Sequence, residues 1–131
     1  MSTVLVVDDQ AELRQLFQRV LESQGYQIVC AANGQAGLAM LDAIHPQLIL
    51  LDMAMPQMDG ITFLRNLRQK PKFQTVPVIV LSGLMSCEQL QIARELGVTD
   101  TLVKAEFTMK ELRYRVARLL PPPTAGLKAS A

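Results

Sequence analysis

The stretch LILLDMAMPQMDG, residues 48–60, carries a run of four large apolar residues directly into a carboxylate, Asp52. An earlier stretch, VLVVDDQ at residues 4–10, ends its own apolar run in two carboxylates, Asp8 and Asp9. Continuous apolar runs of this length are typical of parallel strands that are buried on both faces. The acids therefore either cap the helices that follow or meet in space around a positive charge.

Short apolar runs alternate with longer amphipathic segments along the chain, a pattern typical of repeated βα units around a parallel sheet. The first, third and fourth runs are unbroken, whereas the second and fifth are weaker and are predicted to form edge strands. We predict an α/β fold: a doubly wound (βα)5 flavodoxin-like parallel five-stranded sheet of order 2-1-3-4-5, with helices on both faces. The five runs are residues 4–7, 28–31, 48–51, 78–81 and 101–103.

Five helices are predicted between and after these strands. The first carries an apolar stripe at helical spacing and closes at a glycine, and the others are placed by capping residues and by prolines that end them. The first helix carries the stripe Leu13–Leu21 and ends before Gly25. The second follows Asn33 and the third follows Asp59. The fourth runs from about Cys87 to Leu96, and the fifth begins at Thr108.

Composition limits the function classes. The chain has 131 residues, of which 50% are hydrophobic and 19% charged, so residues 1–120 are predicted to form one domain and residues 121–131 a flexible Pro-rich tail or the stub of a linker. A net charge of +1 gives no general attraction for nucleic acid or membranes. Two cysteines without metal-ligand spacing, and an N-terminus unlike a signal peptide, favour the cytoplasm.

The order 2-1-3-4-5 makes strands one and three neighbours, so Asp8, Asp9 and Asp52 are expected to converge at the carboxyl edge of the sheet. Three clustered carboxylates repel one another unless a cation lies among them, and a set of oxygen ligands favours Mg²⁺. Strands four and five add the hydroxyl of Ser82 and the ammonium of Lys104 to this edge. Carboxylates, magnesium, a hydroxyl and a lysine together suit a phosphoryl group.

These residues give the chain a resemblance to the receiver domains of two-component response regulators, of the single-domain chemotaxis-regulator type. The resemblance rests on VVDDQ, LLDMAMPQMDG, VIVLSG and TLVKAEF, in this order, within residues 3–120. It implies that Asp52 accepts a phosphoryl group from a histidine kinase or phosphotransfer protein, with Lys104 and Ser82 holding the phosphoryl oxygens. It also implies Mg²⁺ bound by Asp9 and Asp52, by Asp8 largely through water, and by the Ala54 carbonyl.

The chain departs from this family at two positions. Alanine, Ala105, follows the lysine where the family usually has a proline, often with a cis bond, so we expect a trans bond or a different loop shape here. Thr101 takes the place of the aromatic residue that usually swings inward on phosphorylation. A switch of the usual aromatic kind therefore cannot operate.

Three other functions are alternatives to a phosphorylated signalling switch. A dehalogenase-like phosphatase would need a second acid at Ala54, and a flavin binder would need a phosphate loop where the acids of DDQ stand. The alternative that remains is a receiver-like protein-interaction module that is not phosphorylated. The chain is not expected to be an enzyme that acts on other substrates. It is expected to catalyse only its own phosphorylation and dephosphorylation.

The resemblance also predicts the surface that contacts a partner protein and the lifetime of the phosphorylated state. The face formed by helix four, strand five and helix five, with Leu84, Met85 and Ile92, is expected to bind an output protein or a second copy in a homodimer. Ala54 and Leu84 flank the expected phosphoryl position, and neither side chain can position water. A slowly hydrolysed acyl phosphate is therefore expected; the alternative is that these neighbours, with Ala54 so small, leave the site open to attack by unordered water.

Overall fold

The computed structural model describes residues 2–83 and 85–121, and its strands alternate with α-helices, with one short 3₁₀ helix, Pro71–Phe73, between the third α-helix and the fourth strand. Leu84 and nearly all of the tail, residues 122–131, lie outside the described residues, so the expectations for them remain predictions. The strands are β1 Thr3–Val7, β2 Gln27–Ala31, β3 Leu48–Asp52, β4 Val78–Ser82 and β5 Asp100–Val103. The helices are α1 Ala11–Glu22, α2 Gly34–Ile44, α3 Gly60–Gln69, α4 Cys87–Glu95 and α5 Met109–Leu119.

All neighbouring strands are parallel and the sheet order is β2-β1-β3-β4-β5, which confirms the predicted topology. The unbroken runs β1, β3 and β4 are buried along their whole length, while β2 and β5 are the partly exposed edges. Val7 of β1 is in register with Leu51 of β3. The residues that follow this pair therefore leave the same edge of the sheet side by side.

The sheet separates two hydrophobic cores, because successive side chains of a strand point to opposite faces. In β1, Leu5 and Val7 pack with residues of α2, α3 and α4, whereas Val4 and Val6 pack with residues of α1 and α5. Helices thus cover both faces, as predicted. The sheet is held from both sides, which fixes the edge where its strands end.

The predicted caps account for the start of three helices. The side chains of Asn33, Asp59 and Thr108 accept hydrogen bonds from backbone N–H groups in the first turns of α2, α3 and α5. Helix α4 begins with a capping box between Ser86 and Gln89, which the sequence analysis did not identify. None of the helices within the described residues is both long and apolar enough to span a bilayer.

Candidate phosphoryl and metal site

Three carboxylates meet at the carboxyl edge of the sheet, as the strand order predicted. Asp8 follows β1 and Asp52 ends β3, and both are buried, whereas Asp9 is exposed. One carboxylate oxygen from each of the three residues lies within 4.8 Å of the others. This spacing is suited to one small cation bound by oxygen atoms.

The two buried carboxylates each use one oxygen to organise their own loops. Asp8 Oδ1 accepts a hydrogen bond from the N–H of Gln10 at 2.8 Å, and Asp52 Oδ1 accepts one from the N–H of Ala54 at 3.1 Å. The other oxygen of each, Oδ2, is buried and has no hydrogen-bond partner among the described residues. Buried polar atoms normally have partners, so these two oxygens require a positive charge close by.

Lys104 brings a positive charge to the same two oxygens. Its Nζ lies 3.1 Å from Asp52 Oδ2 and 3.5 Å from Asp8 Oδ2, and it donates a hydrogen bond to Gln10 Oε1 at 3.2 Å. The side chain is 23% exposed, so the ammonium group reaches inward from a partly solvated position. Lys104 therefore neutralises part of the carboxylate charge in this structure, and it stands where it could contact a phosphoryl group on Asp52.

The pKa of Asp52 is raised above its ordinary value. Burial is the largest cause, and the nearby Asp8 carboxylate acts in the same direction, whereas the N–H of Ala54 and the ammonium of Lys104 lower the pKa. The carboxylate thus lies in surroundings that penalise its charge but that contain two groups able to stabilise it. Any additional cation at the site would favour the ionised, nucleophilic form.

Ser82 ends β4 on the same edge and is buried. Its backbone carbonyl accepts a hydrogen bond of 2.7 Å from the N–H of Lys104, so the two residues are held together. Ser82 borders a cavity of about 150 Å³ that is also lined by Met53, Ala54 and Met85. The cavity lies next to the loop that follows Asp52, and exposed Ala54 forms part of its wall.

The two departures from the family pattern have visible consequences. Every peptide bond of the described residues is trans, including the one after Lys104. The loop turns instead through hydrogen bonds that Val103 accepts from the N–H groups of Glu106 and Phe107. Thr101 is partly buried and borders a cavity of about 200 Å³ with Ser82 and Met85. No aromatic side chain lines that cavity.

Gln10 is the site residue that sequence reasoning missed. It occupies the N-cap position of α1, but its side chain makes no capping hydrogen bond and accepts from Lys104 instead. A polar residue after two acids is most simply explained as the start of a helix, so the sequence alone gives no sign of this contact. Gln10 could have been suggested as a site residue by its position directly after the acidic pair, on the loop that Lys104 faces.

Comparison with known proteins supports one family. The family model for the response regulator receiver domain matches residues 4–117. Sporulation initiation phosphotransferase F of Bacillus subtilis (strain 168) is 36% identical over 118 residues, which cover 90% of this chain and 93% of that protein. The probable transcriptional regulator ycf27 of Porphyridium aerugineum is 35% identical over 117 residues, 89% of this chain. The chain spans only 47% of that relative's length.

Solved structures give the same result for the fold. The chemotaxis protein CheY4 of Vibrio cholerae superimposes with a TM-score of 0.85 at 32% identity, over 92% of this chain and 99% of that one. The Mn²⁺-bound form of response regulator Rcp1 superimposes with a TM-score of 0.80 at 26% identity, over 92% of this chain and 96% of that one.

Proposed function

Because the chain belongs to the response regulator receiver domain family, we propose that it is a signalling switch whose phosphoacceptor is Asp52. The observation that carries this proposal is the buried Asp52 Oδ2, which faces Lys104 and lacks a hydrogen-bond partner among the described residues. The ammonium of Lys104 favours the ionised form of this carboxylate, which is the nucleophilic form. The proposed donor is a histidine kinase or a histidine-containing phosphotransfer protein.

Magnesium is the proposed cofactor, bound by Asp9 and Asp52, by Asp8 largely through water, and by the backbone carbonyl of Ala54. The clustered oxygens of the three acids support this assignment, because Mg²⁺ prefers carboxylate and carbonyl oxygen and usually keeps several waters. When bound, the ion would supply positive charge between the carboxylate and the incoming phosphoryl group. The Mn²⁺-bound form of Rcp1 shows that a structural neighbour accepts a divalent cation.

The residues of the chain supply the rest of the chemistry. A lone pair of the Asp52 carboxylate forms the new bond to phosphorus while the bond from phosphorus to the donor nitrogen breaks and its electron pair stays on that nitrogen, and the product is an acyl phosphate. In the proposed mechanism Lys104 and Ser82 hold the phosphoryl oxygens as negative charge spreads over them. Lys104 would exchange its contacts with Asp8 and Asp52 for contacts with the phosphoryl group.

The proposed output is a change in affinity for a partner protein. Met85 and Ser82 border both the cavity beside Ala54 and the cavity beside Thr101. A shift of Ser82 toward a phosphoryl group would therefore change the packing between α4 and β5. Thr101 cannot act as the aromatic residue that usually swings inward in this family. The face of α4, β5 and α5 is the proposed contact surface for an output protein or for a second copy of the chain.

Phosphorylation is tested by intact mass after incubation with acetyl phosphate and magnesium. We expect the mass of one phosphoryl group to be added to the parent and to Asp42→Asn, which changes an exposed acid on α2, but not to Asp52→Asn. Lys104→Ala should take up the group more slowly. No gain at any concentration of acetyl phosphate or phosphoramidate would favour the alternative, a receiver-like interaction module that is not phosphorylated.

A further inference from the structure

Helix α5 has two chemically different sides. Leu112 and Val116 are fully buried against the core that α1 shares. On the opposite side, four exposed residues follow one another at helical spacing. We call this set the outer surface of α5, and it consists of Lys110, Arg113, Tyr114 and Arg118.

Within residues 2–83 and 85–121, the positive charges of this surface take no part in the salt bridges. Among the described residues, no carboxylate pairs with Lys110, Arg113 or Arg118. The neighbouring Arg115 behaves differently, because it donates hydrogen bonds to Asp100 and to Glu111. The three free cations therefore form a local positive strip on a protein whose net charge is only +1.

Tyr114 lies in the middle of that strip and is 61% exposed, the most exposed large hydrophobic side chain of the described residues. The guanidinium of Arg118 lies 5.8 Å from the centre of its ring, within cation–π range. Tyrosine and arginine are enriched in the parts of protein interfaces that contribute most to affinity. The exposed ring thus offers an apolar contact that a purely solvated helix face does not need.

We propose that the outer surface of α5 binds an acidic segment of a partner protein, with an apolar side chain of that segment packed on Tyr114. The strip is one helix wide, and beside it lie the carboxylates of Glu111 and Asp100, both paired with Arg115. A narrow acidic peptide can follow the strip and avoid these carboxylates. A nucleic-acid duplex or an anionic membrane would need positive charge over a wider area than three cations on one helix supply.

Unlike the rest of the face of α4, β5 and α5, this outer surface is inferred to bind its partner equally well whether or not Asp52 is phosphorylated, and in this respect the inference goes beyond the proposed function. The buried residues Leu112 and Val116 hold α5 on the core, and the Arg115 pair with Asp100 ties it to the start of β5. The cavities that border Ser82 contain none of the four residues of the outer surface. Binding here would keep a partner close in both states of the switch.

The test measures the affinity of the full chain for a labelled glutamate-rich peptide with one central leucine. We compare the parent with a triple variant of the outer surface, K110E/R113E/R118E, and with a matched triple variant, R19E/R65E/K72E. The matched variant reverses two arginines and one lysine that are exposed on α1, on α3 and just after α3. Both variants therefore change the net charge equally.

We expect the outer-surface variant to lose roughly tenfold or more in affinity, the sum of several exposed ion pairs, and the matched variant to lose much less. Tyr114→Ser should weaken binding while Tyr114→Phe retains it, and Asp52→Asn should bind like the parent. Equal losses in both triple variants, binding that requires acetyl phosphate, no binding by the parent, or tighter binding of a DNA duplex or phosphatidylserine vesicles would overturn the proposal.

Discussion

Gly60 lies at the first position of α3, where the chain passes very close to the loop after β3. A Cβ atom at Gly60 would lie 2.8 Å from the Cα of Met53, and the backbone there cannot yield as a flexible side chain can. The N–H of Gly60 also donates to the carbonyl of Met53. We predict that Gly60→Ala lowers the free energy of unfolding by about 1–3 kcal/mol, measured by urea denaturation.

Gly83→Ala is the control for this prediction. A Cβ atom at Gly83 would meet no atom within 4 Å. This variant should therefore unfold at nearly the same urea concentration as the parent. Equal destabilisation of the two variants would show that the contact with Met53 does not determine the effect.

The two cysteines are predicted to differ in reactivity. Burial raises the pKa of the Cys30 thiol, Arg14 lowers it and Glu22 raises it, and the net shift is upward. A raised pKa means less thiolate at neutral pH, and thiolate is the reactive form. Iodoacetamide at neutral pH should therefore modify the exposed Cys87 well before Cys30, as peptide mapping can measure. In urea both residues should react at similar rates.

At the residue scale, sequence reasoning placed the acids, Ser82 and Lys104 at one edge, because that placement needs only strand order. It did not find the contact between Lys104 and Gln10. In the sheet, β5 is separated from β1 by two strands, so the contact depends on the reach of a long side chain. Rules based on strand ends do not contain that information.

At the scale of elements, Arg68 of α3 joins the turn just after its own helix to the distant segment that follows α4. Its guanidinium donates to the carbonyls of Leu96, Gly97 and Phe73 at 2.7, 3.1 and 2.9 Å. Burial lowers its pKa. The cation thus satisfies carbonyls just past the end of α4 and holds that end against α3, a favourable position for positive charge.

We predict that Arg68→Met lowers the free energy of unfolding by about 1–3 kcal/mol, because it leaves carbonyls without their donors. Amide hydrogen exchange should increase at the end of α4, at Leu96 and Val98, whose N–H groups bond to residues of that helix. Arg65→Met, at an exposed position of the same helix, should change neither quantity. Equal exchange in both variants would contradict the assigned role of Arg68.

Helices and strands were predictable from the sequence where a helix cap or the strength of an apolar run determines them. Asn33, Asp59 and Thr108 cap their helices, and the weak runs became the edge strands β2 and β5. The short 3₁₀ helix at Pro71–Phe73 was not predicted, and neither was the clamp formed by Arg68. Both depend on how the ends of α3 and α4 meet, which helical periodicity cannot show.

At the scale of the whole molecule, the fold collects negative charge at one edge. Lys104 lies near Asp8 and Asp52, but within the described residues no cation pairs with Asp9. Carboxylates this close repel one another when no metal ion is bound. The arrangement that suits magnesium therefore costs stability in its absence, and the order of the strands makes both effects unavoidable.

We predict that a substitution of Asp9 affects the free energy of unfolding in opposite directions in the absence and in the presence of magnesium. Without magnesium, Asp9→Asn should be as stable as the parent or more stable, since it removes one of three repelling charges. With magnesium at about 100 times its dissociation constant, the parent should gain about 2.7 kcal/mol in the free energy of unfolding, and the variant much less. Urea denaturation with and without magnesium measures both effects, with Asp42→Asn as a control that should resemble the parent. If magnesium stabilised Asp9→Asn as strongly as the parent, Asp9 would not be a ligand and repulsion at this edge would have another source.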